Sequence, residues 1–326
     1  MRTRIDRPTR HQLLAIAALL VLVSAAIDAQ LVRTADATVR GLRETDFPRV
    51  VKLADDVYAY EDLNGDLKSN IAFTTNSLIV VTTGGVVVVD AQGSLAKTKR
   101  LIDRIKTLTA QPIKYVIIGA DHGDHVAGNS AFPVGTTFVA HPTSKAAIEA
   151  MAARPQPAGA GQVPIPQETV GDKRVLKVGN TEVQILFLGR AHTGGDLEVF
   201  LPRDGILWMS EVFFNRIYPS VGGNRSGRPV EWLETVKKAQ ALNARVYVPN
   251  HGFVDSPEVL NEEFVNFRRA LENLVSESRR LHDARVPLET AYRTINLGEF
   301  QYWYRAANNM PDAVRQTYAE LDGKLK

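Results

Sequence analysis

The stretch Gly119-Ala-Asp-His-Gly-Asp-His-Val-Ala-Gly-Asn129 crowds two imidazoles and two carboxylates into five residues. Gly123 lets the backbone turn tightly there, so His122, Asp124 and His125 can converge from a single loop. Neutral imidazole nitrogen and carboxylate oxygen are the donors that Zn²⁺ accepts when thiolate is missing. Thiolate is missing here, because the chain has no cysteine. That absence removes disulfides, cysteine nucleophiles and cysteine ligands together.

Of the seven histidines, four follow predicted strands: His122 and His125 after Ile118, His192 after Leu188, and His251 after Val248. Side chains that do chemistry gather at strand ends in α/β sheets. The other candidates read as structural. His141, in Ala140-His-Pro142, reads as a turn residue, and His282, among Arg279, Arg280 and Asp283, as part of a solvated helix face.

The elements that must position these residues alternate in kind. Val57 to Tyr60, Ile71 to Thr75, Ser77 to Thr82 and Val86 to Asp90 read as short strands, with Gly84 and Gly85 turning the last pair into a hairpin. Leu95, Leu101, Ile102, Ile105 and Leu108 recur at helical spacing before a buried strand from Ile113 to Ile118. A strand from Thr137 to Ala140, a helix from Ser144 to Ala152 and a Pro/Gly-rich loop from Arg154 to Gln167 follow. A second set repeats the order: strands at Val175 to Val178, Val183 to Leu188, Leu197 to Leu201 and Ile206 to Met209, a helix from Val230 to Leu242, and a strand from Arg245 to Val248.

The remainder is predicted helical. Ser256 caps a helix with Pro257 and Glu258 in its first turn, and Leu260, Phe264, Phe267, Leu271 and Leu274 form one apolar stripe. Shorter helices are predicted from Pro287 to Thr294, around Glu299 to Ala307, and from Pro311 to Asp322, the last stopped by Gly323. Nothing in this tail carries a chemical signature.

In the order of its motifs the sequence resembles the metallo-β-lactamase superfamily, whose motif is His-x-His-x-Asp-His followed by Gly-Gly or Gly-Asn. His122, Asp124, His125, Gly128 and Asn129 match it. Val86 to Asp90 is similar to the family's strand ending in aspartate, and Arg190-Ala-His-Thr-Gly-Gly-Asp196 to its third metal-binding segment. Trp208-Met-Ser-Glu-Val-Phe-Phe214 resembles the segment of the bridging acid, and Val248-Pro-Asn-His-Gly252 that of the last histidine. Two residues depart from the pattern: Ala120 stands where the motif's first histidine belongs, and Glu211 where an aspartate is usual.

The resemblance implies an α/β fold, a four-layer αββα sandwich over residues 30–255, with residues 256–326 as a C-terminal helical extension packed on the same domain. It implies one ion position using the missing histidine, His122 and His192, and a second using Asp124, His125 and His251, with Glu211 able to touch both. Ala120 weakens only the first, so one tightly held Zn²⁺ is expected at Asp124, His125 and His251, with a second ion weak or absent. Iron, as in the superfamily's oxygen-using members, is the less favoured ion. Asp121 could replace the missing ligand only if neighbouring side chains in a turn pointed the same way.

A metal held with an open position lowers the pKa of its water toward about 7. The expected activity is therefore hydrolysis of an acyl, lactone, lactam or other ester-type bond in a small molecule, with Asp124 or His192 moving the proton. The alternative is a degenerate copy of the fold that binds a small molecule without turnover. Arg216, Tyr218, Arg225 and Arg228, around the loop Val221 to Pro229, offer a carboxylate-binding rim or merely solvated loop cations. Phe213, Phe214 and Trp208 offer either an apolar wall or core packing.

The start of the chain reads as a secretory leader: Arg2, Arg4, Arg7 and Arg10 precede an apolar run from Leu13 to Val23 and the small residues Ser24, Ala25 and Ala26. Residues 1–29 form the predicted signal peptide, with cleavage after Ala29 or Ala26 and a periplasmic or secreted product. The run is shorter than the roughly 18 to 20 residues that span a membrane, so no stable span is expected after cleavage. The leader carries +2 of the formal net charge of +3. With no basic run interleaved with aromatics elsewhere, the sequence has no electrostatic footprint for nucleic acid.

Overall fold

The computed structural model describes residues 32–69, 71–154, 161–221 and 226–325, and the predicted leader lies outside them. Among the described residues no helix is long and apolar enough to cross a membrane. Two sheets share the residues that alternate with period two. The first runs β1 (Arg49–Ala54), β2 (Val57–Asn64), β3 (Phe73–Thr82), β4 (Gly85–Val89), β5 (Ile113–Ile117), β6 (Thr137–Ala140) and β7 (Glu168–Thr169), paired in that order. The second pairs β12 (Val246–Val248), β11 (Ile206–Trp208), β10 (Glu198–Leu201), β9 (Thr181–Leu186) and β8 (Lys173–Val178).

Successive strand side chains point to opposite faces, and here both faces are covered. Val87, Val89, Leu78 and Val80 of the first sheet pack with Val199, Ile206, Trp208, Val246 and Val248 of the second. On the other side of the first sheet, Val86, Val88 and Ile79 meet Leu101, Ile102 and Ile105 of α1 (Leu95–Leu108) and Ile148 of α3 (Pro142–Ala152); the single-turn α2 (Gly123–Val126) lies between them in sequence. Leu207 and Tyr247 face the other way, into a cluster with α4 (Pro229–Ala241) and α5 (Pro257–Asp283). This is the four-layer αββα arrangement, helices outside and two sheets within.

The segments after α5 join the same cluster. Ala291 of α6 (Leu288–Thr294), Trp303, and Ala313, Val314 and Tyr318 of α7 (Ala306–Leu321) are all buried in it. Fully burying a side chain the size of Val314 contributes about 1.5–3 kcal/mol of transfer free energy.

Some boundaries differ from those predicted. The strands expected on either side of Asn76 are one strand, β3, because Asn76 pairs with Glu61 across the ladder and its side-chain amide donates to the Pro249 and Gly252 carbonyls. β1 was not foreseen; its residues are only half-buried and lack a clean alternation. The last helix begins at Ala306 and carries Pro311 inside it, so the proline does not start a helix as expected. Residues Gly298–Tyr302 form a short 3₁₀ turn.

Candidate metal centre

Each candidate side chain hangs from the end of a strand. β4 runs into Asp90, whose buried carboxylate accepts from the Gly119 N–H at 2.7 Å, the Asn250 side-chain amide at 2.7 Å and the Ala120 N–H at 3.4 Å. Asp90 thus ties the turn after β5 to the residue preceding His251. Burial raises its carboxyl to about 6 against the pull of His125 and these donors. Gly119 is required by closeness: a Cβ there would fall 2.1 Å from Ser210 Oγ. His122 then stands immediately before α2, which carries Asp124 and His125. His192 follows β9 in a loop held by the Thr193–Asp196 hydrogen bonds, Glu211 sits in the turn after β11, and His251 follows β12.

These five segments bring His122, His125, His192 and His251 around one buried carboxylate. Glu211 Oε1 lies 3.0 Å from His251 Nε2, 3.2 Å from His192 Nε2 and 3.5 Å from His125 Nε2, and Oε2 lies 3.0 Å from His122 Nδ1. Asp124 Oδ2 stands 3.5 Å from His125 Nε2 and 3.6 Å from His251 Nε2, and accepts from Thr75 Oγ1 at 3.1 Å. Two three-donor sets result, His122 with His192 and Glu211, and Asp124 with His125 and His251. All six predicted metal residues therefore meet.

The tautomers test whether an ion fits. His251 Nδ1 lies 2.8 Å from the Thr74 carbonyl oxygen and His192 Nδ1 2.6 Å from that of Ser220. A carbonyl only accepts, so each Nδ1 carries its hydrogen and each neutral ring presents a lone pair at Nε2. Both lone pairs face Glu211 Oε1, another acceptor. Such an arrangement holds together only with a proton or a cation among the acceptors, and a histidine–carboxylate set suits zinc.

The electrostatics agree. Burial pushes His122 toward neutrality, but Glu211, Asp121 and Asp124 outweigh it and raise its pKa to about 10. His125 is raised to about 10 in the same way, burial being overcome by Asp124, Glu211 and Asp90. Conversely, burial would raise Glu211, yet His192, His122 and His125 hold it well below the ordinary carboxylate value.

A cavity of about 240 Å³ opens over this cluster, lined by His122, Asp124, His192, Glu211 and His251 together with Phe73, Phe214, Ile217, Ser220, Arg305 and Asn309. Asp121, by contrast, lines a separate cavity of about 470 Å³ with Thr143, Arg190 and Arg228. Its side chain therefore does not stand in for the histidine missing at Ala120, which is itself fully buried.

With that geometry in view, comparison with known proteins gives a single answer. The model of the metallo-beta-lactamase superfamily matches residues 71–251, more than half of the chain. The chain belongs to this superfamily.

A metallo-beta-lactamase type 2 from Bacillus sp. (strain 170) is 26% identical over 225 residues, 67% of this chain and 81% of that protein. The metallo-beta-lactamase type 2 of Elizabethkingia meningoseptica is 26% identical over 165 residues, 51% of this chain and 62% of its own. Among solved structures, the metallo-beta-lactamase from Pontibacter korlensis superposes with a TM-score of 0.57 at 21% identity, covering 68% of this chain and 99% of that one. The metallo-beta-lactamase IND-7 gives 0.57 at 19%, covering 68% and 97%. These likenesses establish the metallo-beta-lactamase fold.

Other candidates from the sequence lie elsewhere. His141 caps α3, accepting from the Thr143 N–H, and stacks on Phe187. His282 pairs with Asp322 at 2.8 Å. Arg216 is bound to Glu263 at 2.6 Å, Tyr218 is fully buried, Arg228 lines the Asp121 cavity, and Arg225 lies outside the described residues. Phe213 and Trp208 are core, while Phe214 walls the metal cavity.

The tail expected to hold no chemistry supplies Arg305 and Asn309 to that wall. Neither carries a sequence signal, since a lone arginine beside a helix start looks like any solvated cation. Thr75, the donor to Asp124, was equally silent among the polar residues Thr74 to Ser77 of one strand.

Proposed function

We propose that this protein is an exported zinc-dependent hydrolase acting on an acyl, lactone, lactam or other ester-type bond of a small molecule. The reading is carried by one observation: four imidazoles and two carboxylates converge, all but His125 lining a cavity of about 240 Å³, with the Nε2 lone pairs of His192 and His251 fixed by backbone carbonyls. Asp124, His125 and His251, with Glu211 beside them, would hold the tighter ion, and His122, His192 and Glu211 the weaker. When bound, zinc supplies a Lewis acid and an acidified water.

The chain's own residues do the rest. Asp124 is the partly open carboxylate of the set, and Thr75 Oγ1 fixes its orientation. It is the group placed to accept a proton from water and return it to a leaving group. His192 is locked by the Ser220 carbonyl and the edges of Phe214 and Trp232, so its Nε2 stays aimed at Glu211 and His122. Phe73, Phe214 and Ile217 give the cavity an apolar side that suits a small acyl group and keeps out bulk water.

Metal analysis of protein grown without added zinc, on wild type and Ala120→His, tests the reading. About one zinc per chain, rising toward two in A120H, is the expected outcome, alongside turnover in a panel of lactams, lactones, esters and phosphoesters. No ion in either protein would sink it, as would bound zinc with no hydrolysis across the panel.

A further inference from the structure

Asp121 and His122 are neighbours that line different cavities, and the one beside Asp121 is the larger, about 470 Å³ against about 240 Å³. Its walls come from the start of α3, the loop after β9 that carries His192, the loop leading into α4, and α7 with the residues that follow it. Among the described residues these walls present three cations, Arg190, Arg228 and Lys324, against the one carboxylate of Asp121. The last wall lies beyond the span that the superfamily model matches, so the cavity is built jointly by the sandwich and the C-terminal extension.

Arg228 is the fixed point of this charge. Its residue is only 8% exposed, its backbone N–H donates to the Ala191 carbonyl at 2.9 Å, and its Nη1 donates to the Leu325 carbonyl at 3.2 Å. Arg190 is steadied through its own carbonyl, which accepts from Thr235 Oγ1 at 2.8 Å. Two carboxylates outside the walls touch the cations: Glu231 Oε1 lies 3.6 Å from Arg228 Nη1, and Asp322 Oδ2 2.7 Å from Lys324 Nζ. Both are open to solvent, 47% and 35% exposed, where water screens them. Inside the cavity Asp121 balances one of the three positive charges, and two remain for an occupant.

We propose that this second cavity binds a small phosphate dianion, either inorganic phosphate or the phosphate group of a small ester. A phosphate carries close to two negative charges near neutral pH and offers three terminal oxygens, which suits cations arriving from three separate segments. A planar carboxylate would engage one guanidinium fork and leave a positive charge over. The Thr143 and Ser226 side chains add hydroxyls to the wall, and Thr143 stands in the first turn of α3, whose positive end favours an anion. Ala147 and Leu325 leave room for a small apolar body on an ester. The site uses none of the six candidate metal ligands, so it stands apart from the hydrolase reading.

The test is calorimetric titration of the zinc-loaded full chain at pH 8 with inorganic phosphate, phenyl phosphate and the singly charged benzenesulfonate. Saturable binding of at least one phosphate is expected, weakened about 3- to 10-fold in Arg190→Gln and in Lys324→Gln and about 10- to 100-fold in Arg228→Gln and in Ala147→Phe, which fills the cavity. Arg190, Lys324 and Ala147 are exposed, so their variants decide the matter should R228Q fail to fold. Tighter binding of inorganic phosphate assigns the site to the free anion, and tighter binding of phenyl phosphate to an ester. No saturable binding in wild type would overturn the proposal. So would affinities unchanged in R190Q, K324Q and A147F, which would place the phosphate on the zinc, or benzenesulfonate binding as tightly as the phosphates.

Discussion

Replacing Glu211 with glutamine takes one negative charge from the centre of four imidazoles at almost constant volume. The rise of His122 from 6.5 to about 10 amounts to about 5 kcal/mol of preference for the protonated ring, net of the opposing burial, and Glu211 is the largest carboxylate contributor. In metal-free E211Q, His122 should titrate back toward the ordinary imidazole range. Stability near neutral pH should fall by about 3–5 kcal/mol, the usual cost of breaking a buried pair from one side.

The sign of the pH dependence follows from the shifts. The raised His122 and His125 stabilise fully below about 6.5, and that contribution is lost as pH rises through about 10. The depressed Glu211 stabilises fully above about 4.5, and its share is lost only as pH falls through its lowered pKa. The gap between wild type and E211Q is therefore widest between about pH 4.5 and 6.5 and narrows toward pH 10. Urea unfolding of chelator-treated protein at several pH values in this range, with imidazole NMR titration, measures it. A gap under about 1 kcal/mol, or one that does not change with pH, would refute the pairing described here.

Thr75→Val removes the hydroxyl that steadies Asp124, and zinc affinity by chelator competition should drop about 10- to 100-fold while the fold is kept; an unchanged affinity counts against Asp124 as a ligand. Gly119→Ala drives a methyl group toward Ser210 Oγ and Asp90 Oδ2, which would lie 2.1 and 2.8 Å away. It should cost about 1–3 kcal/mol in thermal unfolding and displace the turn bearing His122, lowering zinc content as well. A variant with full zinc and wild-type melting would show that the turn has slack the packing does not suggest.

The four histidines of the candidate centre were legible because histidine is rare in this chain, seven in all, and these four fall just after strands, where side chains of several segments must meet. The sandwich was legible because Val86 to Val89 and Leu78 to Val80 are apolar on both faces, which only a doubly covered sheet explains. What stayed hidden depends on contacts between distant segments. Thr75 donates to Asp124 across 49 residues, and Arg305 reaches the cavity only because Tyr304 is hydrogen-bonded to Arg216, Tyr218 and Ala72. The placement of Asp121 was a matter of side-chain direction, and its neighbour His122 turns into a different cavity.

The hydrogen bond from the Tyr304 hydroxyl to the Ala72 carbonyl joins residues 232 positions apart. Contacts of such separation are late events in folding, because the loop they close must first be ordered. A nascent chain released as far as His251 already holds every imidazole of the cluster, yet its cavity stands open on the side that Arg305 and Asn309 will close. Gathering the imidazoles and closing the cavity wall are therefore separated in the chain's own timetable. A protein clipped ahead of Tyr304 would keep the first and lack the side of the cavity that Arg305 and Asn309 form.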